Sequence, residues 1–324
     1  MTTDAVQSST TSRAVLGIAV VLAFVCGVLV AVQSRINGEL ALRMNDGFLA
    51  ALFSFAGGLV LVLIALVFSR RGRLGTVVVI QAVRTGELPV AYLLGGAIGA
   101  FIVLSQALTV VILGVALFTT ALVVGQTLSG LLLDRYGLGT MQTTPITPQR
   151  IVGACLALVA VSIAGASDLT LNVPLWWLAL PFIGGLLVSW QQGSNGEIRA
   201  TSGSPVTATF VNFAVGTPLL LIATLVHGAI AGWPTAYPSE AWLYLGGALG
   251  VAGIGLASVV VRIIGVLVFG LSLVAGQLIA SVVVDFLYPV PGHVVTTTTV
   301  IGCLLTLVAV GIAGVPNRKR QASG

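Results

Sequence analysis

The sequence has very few charged residues. Only 7% of its 324 residues are Asp, Glu, Lys or Arg, whereas a soluble domain carries roughly 25%. So few charges cannot cover the surface of a soluble protein of this length, and 57% of the residues are hydrophobic. The apolar segments are about 17–25 residues long, which is the length of a helix that crosses a bilayer. The composition therefore predicts an all-α, polytopic membrane protein.

The residues that build metal and catalytic sites are equally scarce. The three cysteines, Cys26, Cys155 and Cys303, lie in apolar runs without metal-ligand spacing, where they act as small packing residues. His227 and His293 lie in loops without a cysteine partner. The sequence contains no Walker A loop, which argues against ATP-driven pumping by this chain alone. We therefore expect no enzyme activity, no metal and no cofactor.

One polar stretch is present twice. Residues 33–58 and 191–216 align without a gap at an offset of 158, which pairs Gln33 with Gln191 and Asn37 with Asn195. A second offset, 151, covers the later part of each half. It pairs Gly95 with Gly246, Gly99 with Gly250, Gly114 with Gly265, Gly125-Gln126 with Gly276-Gln277, and Asp134 with Asp285. These matches indicate a duplicated membrane unit.

The apolar segments predict ten transmembrane helices. The spans are about 14–33, 48–68, 91–111, 115–133, 150–166, 175–191, 205–225, 241–261, 264–284 and 294–314. A break near Gly114 separates spans 3 and 4, and a basic loop with Arg70, Arg71, Arg73 and Arg84 follows span 2. The predicted organisation is a disordered N-terminus (1–13), a first five-helix repeat (14–166), a linker (167–174), a second five-helix repeat (175–314) and a basic tail (315–324).

An odd number of spans in each repeat places the two halves in opposite orientations. With the N-terminus in the cytoplasm, twelve Lys and Arg residues fall inside and only Arg35 and Arg43 fall outside. This is a strong positive-inside signal, so both termini are predicted to be cytoplasmic. The net charge of +5 therefore reflects topology and does not indicate nucleic-acid binding. Inverted five-helix repeats are typical of secondary transporters.

The inverted halves, the Gln-Ser-x-x-Asn-Gly element after span 1, its echo after span 6 and the Gly-Gln pair of spans 4 and 9 resemble the drug/metabolite transporter superfamily. Within it, they resemble a little-characterised bacterial subfamily of five-span units, here fused into ten spans. The resemblance covers about residues 14–314. It implies a secondary transporter with a cavity between the halves. The sequence departs from the small multidrug members, which carry a Glu in the middle of span 1. Here the nearest carboxylate is Glu39.

Seven amides are candidate substrate-binding residues. Gln126 and Gln277 lie in mid-span, where an unpaired amide is costly, so they either line the substrate path or hold helices together. Gln33 with Asn37, and Gln191 with Asn195, share one helix face at i, i+4 spacing. They line the cavity, or they are helix-end residues whose Asn-Gly sequence terminates the helix. Asn212 lies inside span 7 and also needs a partner.

Other polar residues support weaker interpretations. Glu39 and Glu197 are gate or coupling carboxylates, or else exposed loop charges. Arg35 and Arg43 pair with Glu39 or Asp46, or form a weak solvated network. Asp134 and Asp285 are expected at span ends, facing water. Ser54 is the counterpart of Asn212, whereas Gln106 has Ala257 as its counterpart. The glycines at 95, 99, 246 and 250 indicate close helix packing.

We therefore expect a secondary transporter that moves a small organic metabolite or drug-like solute across the cytoplasmic membrane by alternating access. Its partners are the small-molecule substrate and membrane lipid, and it acts as a monomer or homodimer. The alternative is a membrane scaffold or partner subunit that does not transport. The two hypotheses differ in whether the intramembrane amides converge on one cavity or only bond neighbouring helices.

Overall fold

The computed structural model describes residues 13–136, 147–164, 175–289 and 295–313. Within these ranges every regular element is helical. The α-helices are α1 (Arg13–Met44), α2 (Gly47–Phe68), α3 (Arg70–Thr85), α4 (Leu94–Tyr136), α5 (Pro148–Ala164), α6 (Ala179–Ser202), α7 (Pro205–Ala231), α8 (Gly246–Leu287) and α9 (Thr297–Ala313). The predicted disordered segment (apart from Arg13), the linker and the basic tail lie outside the described residues.

Five helical segments are long and apolar enough to cross a membrane. They are Ala14–Met44, Gly47–Phe68, Val90–Ser129, Pro205–Ala231 and Val268–Leu287. Shorter apolar helices occupy Ile151–Ala164, Gly246–Val261 and Thr297–Ile312. Together they confirm an all-helical, multi-pass membrane protein.

Helix α1 continues eleven residues beyond the predicted end of span 1 at residue 33, and α6 continues to Ser202 in the same way. The interpretation of Asn37-Gly38 and Asn195-Gly196 as helix ends is therefore wrong. Gly38 instead lets α1 approach α4, because a Cβ at Gly38 would lie 2.8 Å from the side chain of Val110. A helical glycine costs only about 1 kcal/mol relative to alanine, which close packing can offset.

Helices α1 and α6 end in equivalent turns. After α1, Asn45 adopts a positive φ of 53° and Asp46 caps α2 by accepting the Leu49 N–H at 3.0 Å. After α6, Gly203 adopts a φ of 65° and Ser204 caps α7. The paired residues lie at the offset of 158, so the helix boundaries are repeated together with the motif.

Helix α3 replaces the predicted basic loop. Ser69 caps its start by accepting the Gly72 N–H at 3.0 Å, and Gly86 ends it in the left-handed conformation at φ 80°. Its buried face consists of Gly72, Gly75, Val79 and Ala82. These small residues recur with helical spacing and pack α3 against α6 and α7.

Helix α4 contains the predicted break between spans 3 and 4. Gly114 has φ 73° and ψ 166°, which lie outside the helical region and confirm the break. In the second half, α8 carries both predicted spans 8 and 9 as one helical element.

The expected position of Asp285, facing water at the end of a span, is wrong. Asp285 is 4% exposed, and its carboxylate accepts the N–H groups of Val115 and Ala116 at 2.9 and 2.7 Å. It therefore caps the second segment of α4 directly after the break at Gly114, because those N–H groups have no carbonyl partner within their own helix. The side chain of its counterpart, Asp134, lies outside the described residues.

The helices of the two halves interlock in pairs. Helix α1 packs along α8, and α6 packs along α4, while α2 packs against α7 and α5 against α9. At the α1–α8 crossing, a Cβ on Gly27 would overlap the Leu273 carbonyl, and one on Gly276 would overlap the Phe24 carbonyl. The α4–α6 crossing repeats these contacts with Gly185 on Leu122 and Gly125 on Phe182. Every residue of the second crossing is the counterpart of one in the first.

Candidate functional site

A first polar cluster lies between α1, α2, α4 and the start of α8. Asn37 is fully buried, and its Nδ2 donates to Oε1 of Gln106 at 2.7 Å. The other amide atom, Asn37 Oδ1, lies against Gly246 beside the hydroxyl of Ser54. Asn37 Oδ1 and Ser54 Oγ are buried and have no hydrogen-bond partner among the described residues. The predicted Asn37 is thus part of an interhelical contact with unused polar capacity.

A second polar cluster lies between α4, α6 and α7. Asn212 is 2% exposed, and its Nδ2 donates to Oδ1 of Asn195 at 3.1 Å and to the carbonyl of Gly95 at 3.3 Å. Its own Oδ1 lies near Gly99, since a Cβ there would be 2.9 Å away. The sequence indicated that Asn212 needs a partner. That partner is Asn195 on the neighbouring helix α6, which is itself a candidate binding residue.

In each of the two clusters a buried asparagine has an amide partner, but the partner comes from a different helix. Asn37 and Asn195 are counterparts, but Asn37 bonds Gln106 on α4, whereas Asn195 bonds Asn212 on α7. In the first half Ser54 occupies the place of Asn212, and in the second half Ala257 occupies the place of Gln106. Each asparagine thus has one amide partner. The sequence alignment contained this exchange, although nothing in it showed that the two positions serve one contact.

Gln33 and Gln191 lie beside these clusters. Their side chains make no hydrogen bond to any described residue. A Cβ at Gly250 would be 3.0 Å from Gln33 Nε2, and one at the equivalent Gly99 would be 2.6 Å from Gln191 Nε2. The predicted small residues therefore make room for the two glutamine amides. Neither side-chain amide has a hydrogen-bond partner among the residues that the structure describes.

A phenylalanine pair joins the two clusters, and the sequence analysis missed it. The rings of Phe55 and Phe213 have centroids 4.9 Å apart, and each side chain is 3% exposed. Phe55 fills the space left by Gly216, and Phe213 fills the space left by Gly58. The sequence did contain a signal: Phe55 and Phe213 are counterparts at the offset of 158, and so are Gly58 and Gly216.

Gln126 and Gln277 lie at the two glycine crossings. A Cβ at Gly27 would be 2.6 Å from the backbone N of Gln277, and one at Gly185 would be 2.8 Å from that of Gln126. Gly27 and Gly185 each precede the candidate Gln33 or Gln191 by six residues, about 9 Å along a helix. Neither Gln126 nor Gln277 has a side-chain hydrogen bond within the part of the chain that is described, and Gln277 Oε1 is buried without one.

Glu39 lies at the centre of a charged network. It pairs with Arg35 and Arg43 on the same helix, at 2.7 Å in both cases. Arg43 also pairs with Glu240 at 2.5 Å and lies over the ring of Trp242 at 5.6 Å, while Arg35 donates to the Tyr288 carbonyl at 3.1 Å. This confirms the predicted pairing of Arg35 and Arg43 with Glu39. The expected exposed loop charge is wrong, because Glu39 lies within α1 and its side chain is only 13% exposed. The network also ties the end of α1 to both ends of the α8 region.

The counterpart of this network is different in the second half. Glu197 is half-buried on α6, but Gly193 and Thr201 occupy the positions of Arg35 and Arg43. The two candidate carboxylates therefore have unequal surroundings although they lie at equivalent positions.

Trp190 and Phe101 line an open apolar groove of about 400 Å³ between α4 and α6. Leu94, Ala97, Ile98 and Leu187 complete its walls. The groove lies at the same level of α4 and α6 as the second cluster, since Ile98 and Trp190 directly precede Gly99 and Gln191. In the described residues, no group of three or more His, Cys, Asp or Glu side chains could hold a metal ion.

Comparison with known proteins identifies the class. A family model described as "Putative inner membrane exporter, YdcZ" matches twice, over residues 18–163 and 176–312. A solved structure titled only "Crystal structure of protein" is similar to this chain at 15% identity and a TM-score of 0.51, covering 97% of this chain and 100% of the other. At that identity the likeness shows the fold alone. No curated protein matches the chain.

The described helices and the exporter family together indicate a transmembrane transporter of the inner membrane. The chain belongs to the YdcZ family of the drug/metabolite transporter superfamily. The family model matches the chain twice, which confirms the resemblance seen in the sequence.

Proposed function

We propose that this protein is a secondary transporter that exports a small organic metabolite or drug-like solute by alternating access. The moving parts are two inverted five-helix halves, which together make ten spans with both termini in the cytoplasm. The twelve-to-two distribution of basic residues supports this orientation. The family's description as an exporter supports the direction.

The observation that carries the proposal is the exchange of contacts between the halves. The α1–α8 crossing and the α4–α6 crossing use counterpart residues, and so do the Phe55–Gly216 and Phe213–Gly58 contacts. A chain whose halves make interchangeable contacts can adopt two related packings of similar energy. Such a pair of packings is what alternating access around a central site requires.

The seven amides have separate roles in this proposal. Gln33 and Gln191 bind substrate near the phenylalanine pair, because their amides are unpaired within the described protein. Gln126 and Gln277 line the continuation of the path at the glycine crossings. Asn37, Asn195 and Asn212 hold the helices in the present packing, and they exchange these bonds for substrate or each other during the cycle.

Glu39 is proposed to gate the extracytoplasmic end, since its network ties α1 to the segments that flank α8. Glu197 is the weaker cytoplasmic counterpart. The absence of a carboxylate from both amide clusters favours an uncharged or amphiphilic substrate, and the apolar groove beside Gln191 suits the apolar part of such a molecule. The fused repeats make a monomer sufficient, and a homodimer is the alternative assembly.

A non-transporting scaffold or partner subunit is the second candidate function. The observation that favours it is that Asn37 and Asn212 bond other helices, which is how amides hold membrane helices together.

A ligand screen followed by a flux assay separates the two functions. Purified protein is screened by thermal stability against uncharged and amphiphilic metabolites and drugs, and each ligand that stabilises it is tested for uptake into proteoliposomes. We expect a stabilising ligand to lose its effect in the Gln33→Ala/Gln191→Ala variant and to keep it in Gln192→Ala, an exposed neighbour of Gln191. Equal stabilisation of all three proteins would return Gln33 and Gln191 to a packing role. Stabilising ligands that never accumulate above protein-free liposomes would favour the scaffold.

A further inference from the structure

Helix α3 is held rigidly at the level of the transmembrane helix ends. A single residue, Ser69, separates it from α2. Arg73 donates to the carbonyls of Leu66 and Val67 in the last turn of α2. Thr207, at the start of α7, donates to the carbonyl of Gly72 at 2.9 Å. Because it is fixed to the ends of α2 and α7, α3 lies where a membrane presents its headgroups.

The outward face of α3 combines apolar and basic side chains. Leu74, Val77, Val78 and Ile80 are 43–58% exposed. Arg70, Arg71 and Arg84 are exposed on the same helix, and no carboxylate of the described residues pairs with any of them. An amphipathic helix with exposed apolar residues and unpaired basic residues is suited to lie in an anionic lipid interface.

The position of three of the four arginines of α3 argues against a role in stabilising the helix itself, whereas Arg84 lies in the last turn and suits the helix dipole. Arg70, Arg71 and Arg73 occupy its first turn, which holds no acidic residue. Positive charge at a helix N-terminus opposes the helix dipole. Arg73 offsets this by capping α2, whereas Arg70 and Arg71 have no such bond. An external anion would remove the conflict.

The second half has no equivalent surface. The segment after α7, residues 232–240, is not helical and contains no Lys or Arg. Its one acidic residue, Glu240, pairs with Arg43 instead. Residues 232–240 therefore carry no counterpart of the basic apolar surface, as expected of a surface that meets one leaflet.

From these observations we propose that the exposed face of α3 binds the phosphate-bearing headgroups of anionic phospholipids. Arg70, Arg71 and Arg84 contact the phosphates, while Leu74, Val77 and Val78 insert between the acyl chains. Binding fixes α3, and through Thr207 and Arg73 it stabilises the ends of α2 and α7. The inference goes beyond the proposed transport function and does not depend on it. In the proposed orientation, the leaflet that α3 meets is the cytoplasmic one.

The test measures lipid binding by the purified full chain, whose topology is already set. The protein in a neutral detergent is titrated with phosphatidylglycerol or phosphatidylcholine while its melting temperature is followed. We expect saturable stabilisation by phosphatidylglycerol only. In Arg70→Gln/Arg71→Gln/Arg84→Gln, the half-saturating concentration should rise about tenfold to a hundredfold, because each basic residue near an anionic surface contributes separately.

Three controls separate the headgroup site from simpler explanations. Arg318→Gln/Lys319→Gln/Arg320→Gln removes the same three charges from the tail and should bind as the wild type does. Replacing the three α3 arginines with Lys should keep most of the binding. Inorganic phosphate alone should give little stabilisation if the acyl chains contribute.

The outcomes decide the proposal in each direction. Equal loss of binding in the tail variant would reduce the effect to net charge and overturn the site on α3. Equal stabilisation by the two lipids would also overturn it. Stabilisation by inorganic phosphate as strong as that by phosphatidylglycerol would exclude a lipid surface and leave an anion site.

Discussion

The two asparagine clusters occupy equivalent places in the two halves, yet they are built differently. Asn37 bonds Gln106 from α4, whereas its counterpart Asn195 bonds Asn212 from α7. The glycine crossings, in contrast, are repeated residue for residue. The difference shows which contacts the duplicated fold requires. Where two backbones approach closely, only glycine fits, because any Cβ would overlap the other helix. A buried amide can pair with a suitable side chain from any adjacent helix.

The largest effect should come from the crossings, and it should be equal in both halves. Gly27→Leu and Gly185→Leu each place a side chain where the backbone of another helix already lies. We expect each to cost about 3 kcal/mol or more and to abolish folding, because overpacking on backbone cannot relax. Fluorescence-detected size exclusion of solubilised membranes measures this. Gly17→Leu, on the open face of α1 with no atom within 4 Å of its Cβ position, should remain monodisperse. If Gly27→Leu folded while Gly185→Leu did not, the two crossings would not be equivalent, contrary to the prediction.

The next effect distinguishes the clusters. Asn37→Ala should destabilise the protein by about 1–2 kcal/mol, because it also leaves the buried Gln106 carbonyl without its donor. Asn195→Ala should cost less, about 0.5–1 kcal/mol, because Asn212 keeps its bond to the Gly95 carbonyl. Thermal unfolding in detergent compares the two variants directly. A larger loss in Asn195→Ala would show that the second cluster carries more of the packing.

A partner exchange tests whether the two clusters are interchangeable. Gln106→Ala removes the amide that Asn37 uses, and adding Ser54→Asn installs the partner found in the second half. We expect the double variant to recover about 0.5–1 kcal/mol of the loss through coupling between neighbouring sites. The four proteins of the double-mutant cycle are measured by thermal unfolding. Additive losses would mean that the helix positions of the two halves differ more than their sequences.

The smallest effect should come from the charged network that only the first half has. Arg43→Gln removes the pairs with Glu39 and Glu240 at a partly exposed site, so we expect a loss below about 1 kcal/mol. The loss should shrink further in 0.5 M salt, where screening is strong. Thr201→Val at the equivalent position of α6 serves as the uncharged comparison. A salt-independent loss in Arg43→Gln would indicate packing of its side chain on Trp242 instead.

The same variants have different consequences for transport. The glycine variants should change flux through the amount of folded protein. Arg43→Gln should change flux per folded molecule if Glu39 gates the outer end, and so should the asparagine variants if these amides exchange partners during the cycle. Flux normalised to the folded fraction therefore distinguishes a gate from a structural ion pair.

Much of the fold could be predicted because membrane helices leave strong local signals. Apolar runs, the repeat offsets and the break at Gly114 were all readable, and the α1–α2 and α6–α7 turns fall at equivalent positions. The basic segment was misread as a loop because four arginines mask the small-residue spacing of Gly72, Gly75, Val79 and Ala82. Asp285 was misread because its partners lie 169 and 170 residues away along the chain.

The candidate site was predicted only as a set of residue types. The offset alignment identified the paired amides of the two halves, but hydrophobicity and spacing carry no information on which amide meets which. The tertiary structure separated the bonded Asn37, Asn195 and Asn212 from the unpaired Gln33 and Gln191, and it brought Phe55 and Phe213 together between them.

The sequence by itself determined the membrane class, the duplication and the family, because these follow from composition and from the repetition of residues at fixed offsets. Only the tertiary structure decided how far α1 and α6 extend, that α3 is a helix, that Asp285 is buried and how the buried amides are paired. Those features depend on contacts between helices far apart in the chain, and a buried polar atom takes whichever partner the packing places within hydrogen-bond distance.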